Sequence, residues 1–173
     1  LEAVLSRPSV APPDHEFAYN TGLTQVLAAV LTEATGASLC RYAVEHLFGP
    51  LDIDVEHWGM DLDGYFAGGH SLFVTPREVA RIGQLVLGHG AWDGEPLVSS
   101  AWLDESLTEA WDLDCPNLWP VREGYGYLWW LMPGSAGATT DTMFTASGNM
   151  NQWAFVIPRL DLVVTVTGGG NQT

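Results

Sequence analysis

Apolar residues recur at helical spacing through the first part of the chain. A run that starts at Thr21 places its apolar positions on one helical face, and Gly36 follows where the run stops. Ser38 can cap a second helix, which Gly49 and Pro50 would end. The pattern therefore predicts two consecutive helices. The apolar positions are Leu23, Val26, Leu27, Val30 and Leu31 in the first helix and Leu39, Tyr42, Ala43 and Leu47 in the second.

A capping box predicts a third helix. Thr75 can cap it, Pro76 suits its first turn, and Glu78 stands where it can bond back to the cap. Gly88 or Gly90 would end this helix after an apolar stripe that consists of Val79, Ile82, Leu85 and Val86.

Two segments show no clear period and are predicted to be irregular, namely residues 1–16, which are rich in proline, and residues 51–73. A further short helix is expected to begin near Ser99 or Ser100.

Strand-like runs dominate after Asp112. A tight connection over residues 158–161 joins the last two runs into an antiparallel hairpin. Helices first and strands last predict an α+β architecture. We expect a single partial domain over residues 1–173, mainly helical with loops over 1–112 and composed of strands over 113–173. The predicted strands are Gly126–Leu131, Thr142–Ala146, Trp153–Ile157 and Leu162–Thr167.

Charge and composition limit the classes of partner. The chain has 173 residues, of which 47% are apolar, and its formal charge is −15. This charge would repel phosphate backbones and anionic membranes, so we expect neither nucleic acid nor a membrane as a partner. There is no signal pattern and no apolar run of membrane-spanning length, and the compartment, cytoplasmic or exported, stays open. Cys40 and Cys115 are equally compatible with one disulfide or two thiols.

A series of motifs resembles the serine β-lactamase-like hydrolases. Its first piece, over residues 17–22, is similar to the tyrosine motif of that family, and the likeness continues over about nine-tenths of the chain. The family includes class C β-lactamases, D-alanyl-D-alanine carboxypeptidases, esterases and 6-aminohexanoate-dimer hydrolases, and the chain looks closest to the last group. The resemblance implies a partial β-lactamase/transpeptidase-like fold. Its further pieces are residues 25–31, 34–36, 45–51, 68–72, 75–81, 90–94 and 124–130.

The resemblance also implies a site. Tyr19 would relay the proton of a nucleophilic serine, and the next two motif positions, Asn20 and Thr21, would contact the substrate. Family members usually have Ser or Ala and then Asn there, so Thr21 is equally well interpreted as a helix cap. The substrate-edge strand corresponds to Ser147, Gly148 and Asn149. The alternative for this last segment is a plain hairpin turn.

Two residues after that segment also depart from the family pattern. Met150 and Asn151 stand where relatives commonly have two glycines, so the approach of the backbone to a ligand would differ. Without a cation at the start of the substrate-edge strand, turnover of a small amide or ester is favoured over recognition of a β-lactam carboxylate.

The chain has no lysine, and this decides the expected activity. The family nucleophile lies in Ser-x-x-Lys, and the six positively charged residues counted as lysine or arginine are all arginines. Arginine can replace lysine electrostatically but cannot act as a base. We therefore expect a fragment of a serine hydrolase that is inactive alone, with the missing N-terminal portion as a partner. The alternative is a non-catalytic ligand-binding module.

No cofactor or metal is expected. The segment that starts at Asp61 lacks the glycine and glutamate positions of a calcium loop. Likewise His57, His70 and His89 lack helical zinc-binding spacing, and each is more simply a loop or capping histidine.

Overall fold

A computed structural model describes residues 1–9, 11–12, 15–108, 111–112, 124–132 and 142–169. By its internal contacts the chain divides into two compact units, Leu1–Val74 and Thr75–Thr173. The single-domain expectation stays a prediction.

The first unit contains the two predicted consecutive helices. α2 spans Thr21–Thr35 and ends at Gly36, whose φ of 67° is the left-handed conformation that glycine tolerates. α3 spans Leu39–Ala43, begins at the Ser38 cap, and continues as a π-helical turn over Val44–Phe48. These boundaries confirm the sequence-based prediction for both helices.

The π-helical turn has a local cause. The Gly49 N–H donates to the Val44 carbonyl at 2.9 Å, which is a bond across five residues. A Cβ at Gly49 would lie 2.7 Å from that oxygen, so the wider turn needs glycine there.

Two segments predicted to be irregular contain short regular elements. The helix α1 spans Glu2–Leu5. The strands β1 (His57–Trp58) and β2 (Leu72–Phe73) form an antiparallel pair. Elements this short give no period in a sequence, which is why the pattern missed them.

The second unit begins with α4, which spans Pro76–Leu87. The predicted capping box is present, because the Glu78 N–H donates to Thr75 Oγ1 at 3.4 Å and the Thr75 N–H donates to Glu78 Oε2 at 2.6 Å. The Gly88 position ends the helix. A two-stranded pair of β3 (Ala91–Trp92) and β4 (Glu95–Pro96) follows, and then α5 (Ser100–Ser106), capped by Ser99 as expected.

An antiparallel sheet completes the second unit. Within the described residues its strand order is β10-β9-β8-β7-β6-β5. The last two strands form the predicted hairpin, closed by a 3-10 turn over Pro158–Leu160. The strands are β5 (Trp111–Asp112), β6 (Gly124–Tyr125), β7 (Trp130–Met132), β8 (Met143–Gly148), β9 (Gln152–Ile157) and β10 (Leu162–Val166).

The prediction of one continuous strand over Gly126–Leu131 is wrong, because a turn separates β6 from β7. The Gly126 N–H donates to the Trp129 carbonyl at 2.9 Å, and Leu128 has a φ of 68°, so the chain turns there. A Cβ at Gly126 would lie 2.2 Å from the Ser106 carbonyl oxygen, which fixes the turn against the end of α5.

The core of the second unit lies between α4 and the last strands. Val156 is fully buried and clusters with Val86 and Leu103. A Cβ at Gly83 would lie 2.5 Å from Val163 Cγ1, so glycine allows α4 to approach β10 closely. Burial of these apolar side chains fixes the back of the hairpin formed by β9 and β10.

The chain contains two cysteines, Cys40 and Cys115. Cys40 is a free thiol, and Cys115 lies outside the described residues.

Within the described part of the chain, no single helix is long and apolar enough to cross a membrane. Thr21–Thr35 and Leu39–Phe48 pass that test of length and composition only as a pair, bent by 77°.

Candidate active site

Tyr19 lies directly before α2 and exposes 61% of its surface. The backbone on its C-terminal side is fixed, because the Leu23 N–H donates to the Asn20 carbonyl at 3.1 Å. An exposed phenol can accept and donate a proton. This geometry is compatible with the proton relay that the sequence predicts for Tyr19.

The cap of α2 is Asn20, not Thr21. Asn20 has an extended backbone, and its Oδ1 accepts a hydrogen bond from the Gly22 N–H at 2.8 Å. Thr21 is the first helical residue, and its carbonyl accepts from Thr24 Oγ1 at 2.7 Å. The interpretation of Thr21 as the cap is therefore wrong, because the asparagine one residue earlier takes that role. The predicted substrate contacts of both residues stay predictions.

Two glycines pack against the first turns of α2. A Cβ at Gly68 would lie 2.2 Å from the Thr24 carbonyl oxygen, and one at Gly69 would lie 2.2 Å from Thr24 Oγ1 and 2.9 Å from Thr21 Cγ2. Only a residue without a side chain fits at either position. The loop that contains these glycines therefore forms one wall beside the Tyr19 motif. The sequence shows the double glycine but not what it packs against.

Gln25 holds this loop in place. Its Oε1 accepts from the Gly68 N–H at 2.9 Å, while its Nε2 donates to Asp61 Oδ2 at 2.8 Å. Asp61 Oδ1 in turn accepts from the Tyr65 N–H at 2.9 Å and from the Asp63 N–H at 3.0 Å. The hydrogen bond from Tyr65, followed by those from Gln25 and Asp63, lowers the pKa of Asp61 below its ordinary value. The segment that starts at Asp61, which lacks the pattern of a calcium loop, thus forms a turn. This turn is linked through Gln25 to the loop that contains Gly68.

A second polar contact ties this loop to the far end of α2. The Tyr65 hydroxyl donates to Glu33 Oε1 at 2.8 Å. This hydrogen bond, together with the negative charge of Glu33, raises the pKa of Tyr65 above its ordinary value. Tyr65 therefore stays a neutral donor and serves the loop as an anchor.

The substrate-edge segment lies in the second unit and is the end of a hairpin. Ser147 is the penultimate residue of β8 and pairs with Trp153, while Gly148 pairs with Gln152. Ser147 is half-buried, and Gly148 and Asn149 are exposed. Within the described residues β8 lies between β7 and β9, so it is an inner strand of the sheet, and its end at the hairpin is exposed. This geometry is compatible with the predicted substrate contact and also with the plain hairpin turn that is the alternative.

The turn of this hairpin uses strained residues. Met150 has a φ of 60° and Asn151 a φ of 63°, which is the left-handed region that favours glycine. The Asn149 Oδ1 accepts from the Met150 N–H at 2.9 Å, and Gln152 Nε2 donates to the Gly168 carbonyl at 2.7 Å. Two residues with side chains therefore occupy a left-handed turn here.

The predicted site residues fall into two groups. Tyr19, Asn20 and Thr21 are consecutive in the first unit, and Ser147, Gly148 and Asn149 are consecutive in the second. Within the described residues, no three or more histidine, cysteine or acidic side chains are grouped to hold a metal ion.

The chain matches one protein family over almost its whole length. A family model described as Beta-lactamase covers residues 1–172. The 6-aminohexanoate-dimer hydrolase of Paenarthrobacter ureafaciens is 29% identical over 93 residues, which are 53% of this chain and 24% of that protein.

Solved structures share the fold. The "putative 6-aminohexanoate-dimer hydrolase from Bacillus anthracis" has a TM-score of 0.75 at 23% identity and covers 94% of this chain and 40% of that chain. The "putative beta-lactamase from Bacteroides dorei DSM 17855" has a TM-score of 0.69 at 14% identity, covering 97% and 56% respectively. In each comparison the chain spans less than two-thirds of the relative's length.

These likenesses confirm the α+β architecture and the partial β-lactamase-like fold that the sequence predicts. The family model confirms the resemblance to β-lactamase-like hydrolases that the sequence indicates. The chain belongs to the β-lactamase family of serine hydrolases.

Proposed function

We propose that this chain is the tyrosine-bearing and strand-bearing part of a serine hydrolase that acts on a small amide or ester. The observation that carries the proposal is the placement of Tyr19, which is exposed at the start of a capped helix in a chain of this family. The name of the 6-aminohexanoate-dimer hydrolase relative makes that dimer the first candidate substrate.

The proposed reaction is acyl transfer. A serine hydroxyl oxygen bonds to the substrate carbonyl carbon, and its proton passes through Tyr19 to the departing amine or alcohol. Water then attacks the acyl-serine and releases the acid. Ser147 and Gly148 align the substrate along the end of β8, where backbone donors stabilise developing charge on the carbonyl oxygen.

The nucleophile belongs to polypeptide that this chain does not supply. The chain contains no lysine and therefore no Ser-x-x-Lys, and its arginines cannot act as a base. We infer that the chain alone does not turn over substrate. Three apolar side chains of β10 are exposed, namely Leu162, Val164 and Val166. Their exposure supports a partner segment that covers β10.

Turnover assays test this proposal. The chain alone and a version extended upstream to include a Ser-x-x-Lys segment are compared on 6-aminohexanoate dimer, p-nitrophenyl acetate and nitrocefin. We expect turnover only in the extended version, reduced at least a hundredfold by Tyr19→Phe. Tyr127→Phe is the matched control, because the exposed Tyr127 donates to Glu105 at 2.9 Å and lies outside the candidate site. Turnover by the chain alone that Tyr19→Phe removes would contradict the inference of inactivity.

A second candidate function is a ligand-binding module without catalysis. The absence of lysine favours it, since a cleft of this family would then bind without reacting. Titration of the chain with 6-aminohexanoate dimer, followed by the fluorescence of its eight tryptophans, measures such binding. Saturable binding in an upstream-extended version that has no turnover would favour this module over the enzyme.

A further inference from the structure

A serine and a histidine outside the Tyr19 and Ser147 segments form a hydrogen-bonded pair. His70 Nδ1 and Ser71 Oγ are 2.8 Å apart, and both side chains are exposed. Nucleophile and base pairs in hydrolases are separated by about 2.6–3.2 Å. The family's Ser-x-x-Lys does not account for this pair, because the residue three positions after Ser71 is Val74.

The backbone of Ser71 is strained and firmly held. Its φ of 60° lies in the left-handed region, which is costly for a residue with a side chain. The Ser71 carbonyl accepts from the Gly59 N–H at 2.9 Å. A Cβ at Gly59 would lie 2.7 Å from Ser71 Cβ, so glycine there makes room for the serine. Immediately afterwards the chain enters β2, which is paired with β1.

The other side of the pair is equally fixed. Gly69 precedes His70 and fits against Thr24 and Thr21 with no space for a side chain. The Gly68 N–H is bound by Gln25. The backbone on both sides of His70 and Ser71 is therefore anchored.

From this geometry we propose that Ser71 is a nucleophile, with His70 as its general base, that is acylated by activated esters and phosphonylated by fluorophosphonates. In the tautomer protonated at Nε2, His70 Nδ1 accepts the hydrogen bond from the Ser71 hydroxyl. The following Leu72 and Phe73 expose 36% and 55% of their surfaces, and they offer an apolar surface to the acyl group.

The step is a substitution at carbonyl carbon or phosphorus. With an ester, the bond from Ser71 Oγ to the carbonyl carbon forms and the bond to the leaving alkoxide or phenolate breaks. With a fluorophosphonate, the Oγ–P bond forms and the P–F bond breaks, so fluoride departs. In both cases His70 takes the serine proton and passes it to the leaving group or to solvent. The proposal concerns this single covalent event, and it is independent of turnover at the Tyr19 site.

Labelling by a fluorophosphonate tests the proposal on the chain as it exists. The chain has no lysine, and the tryptic peptide over residues 42–77 contains Ser71 as its one serine, so mass spectrometry assigns the label directly. We expect labelling of this peptide in the folded protein. Ser71→Gly should abolish it, and glycine also tolerates the left-handed φ, so that variant keeps the fold. His70→Ala should slow labelling by about a hundredfold.

The controls separate an activated serine from a merely exposed one. Ser100→Ala, which removes another exposed serine, should leave labelling of the 42–77 peptide unchanged. Labelling should vanish when the chain is unfolded in guanidinium. The proposal is overturned if the folded chain shows no label on Ser71, if the label lies on another serine, or if the His70→Ala variant reacts at the wild-type rate. None of these results depends on whether the Tyr19 site turns over substrate.

Discussion

The two segments of the candidate site are stabilised in opposite ways. Beside the Tyr19 motif, glycine occupies positions where a side chain would collide with α2, as at Gly68 and Gly69. At the hairpin turn after Ser147, residues with side chains occupy positions where the backbone favours glycine, as at Met150 and Asn151. In the first segment, the choice of residue is thus limited by the space available for a side chain. In the second segment, it is limited by the backbone torsion φ.

This difference separates two kinds of constraint on a glycine position. A glycine required for space cannot be replaced without moving a neighbour, and the neighbour at Gly68 is a backbone carbonyl of α2. A left-handed position can accept another residue at an energetic cost, as Met150 does. We therefore expect substitutions at the two segments to change stability in opposite directions.

The largest effect is expected for Gly68→Ala. Its methyl group would lie 2.2 Å from the Thr24 carbonyl oxygen, so either the loop or the helix must shift. We expect a loss of about 3 kcal/mol in the free energy of unfolding, at the upper end for overpacking. Urea denaturation measures it. Gly169→Ala is the matched control, because a Cβ there meets nothing within 4 Å. Equal stability of the two variants would contradict the claim that Gly68 is required because no side chain fits there.

The next effect is the loss of the α2 cap. Asn20→Ala removes the acceptor for the Gly22 N–H and should lower the free energy of unfolding by about 1 kcal/mol. Asn20→Asp keeps an acceptor at that position and should retain most of the stability. If both variants unfolded like the wild type, the side chain of Asn20 would not stabilise the entrance of α2.

The opposite sign is expected at the hairpin. Met150→Gly should raise the free energy of unfolding by about 1 kcal/mol, because glycine relieves the strain of a φ of 60°. Asn151→Gly should gain less, since asparagine tolerates the left-handed region better than methionine does. Thermal unfolding of the two single variants checks the order. A destabilised Met150→Gly would show that the side chain, and not the torsion, governs this turn.

The smallest effect is a pH dependence confined to the first segment. Hydrogen bonds lower the pKa of Asp61 below its ordinary value of 3.8. Stabilisation by the ionised Asp61 is therefore complete above that value and is lost as the pH falls through the lowered pKa. Asp61→Asn should flatten the fall in stability below about pH 4, whereas Met150→Gly should leave its slope unchanged. Unfolding midpoints measured between roughly pH 2 and 6 would show this difference.

Local signals explain how much of the fold the sequence predicted. The capping box at Thr75 and the caps at Ser38 and Ser99 were found because their partners lie three residues away. The turn that divides Gly126–Leu131 was missed, because it depends on contact with the Ser106 carbonyl, which is distant in the sequence. The strands β1 and β2 were missed for another reason, because they are too short to show a period.

The candidate site divides in the same manner. The motif placed Tyr19 at the start of a helix correctly, but it did not identify Asn20 as the cap, since neighbouring Asn and Thr can both cap. The role of Gln25 could not be predicted, because its partners Gly68 and Asp61 are 43 and 36 residues away. Contacts over such separations leave no periodic trace in a single sequence.

The close approach at Gly83 has a consequence for how the hairpin could evolve. With no clearance between α4 and Val163, the helix blocks any displacement of the strands toward it. Change in the hairpin is therefore easier at the exposed 149–151 turn than on the face that packs against α4. Variation among relatives should accordingly be concentrated at that turn, while the residue opposite Val163 stays the smallest one available.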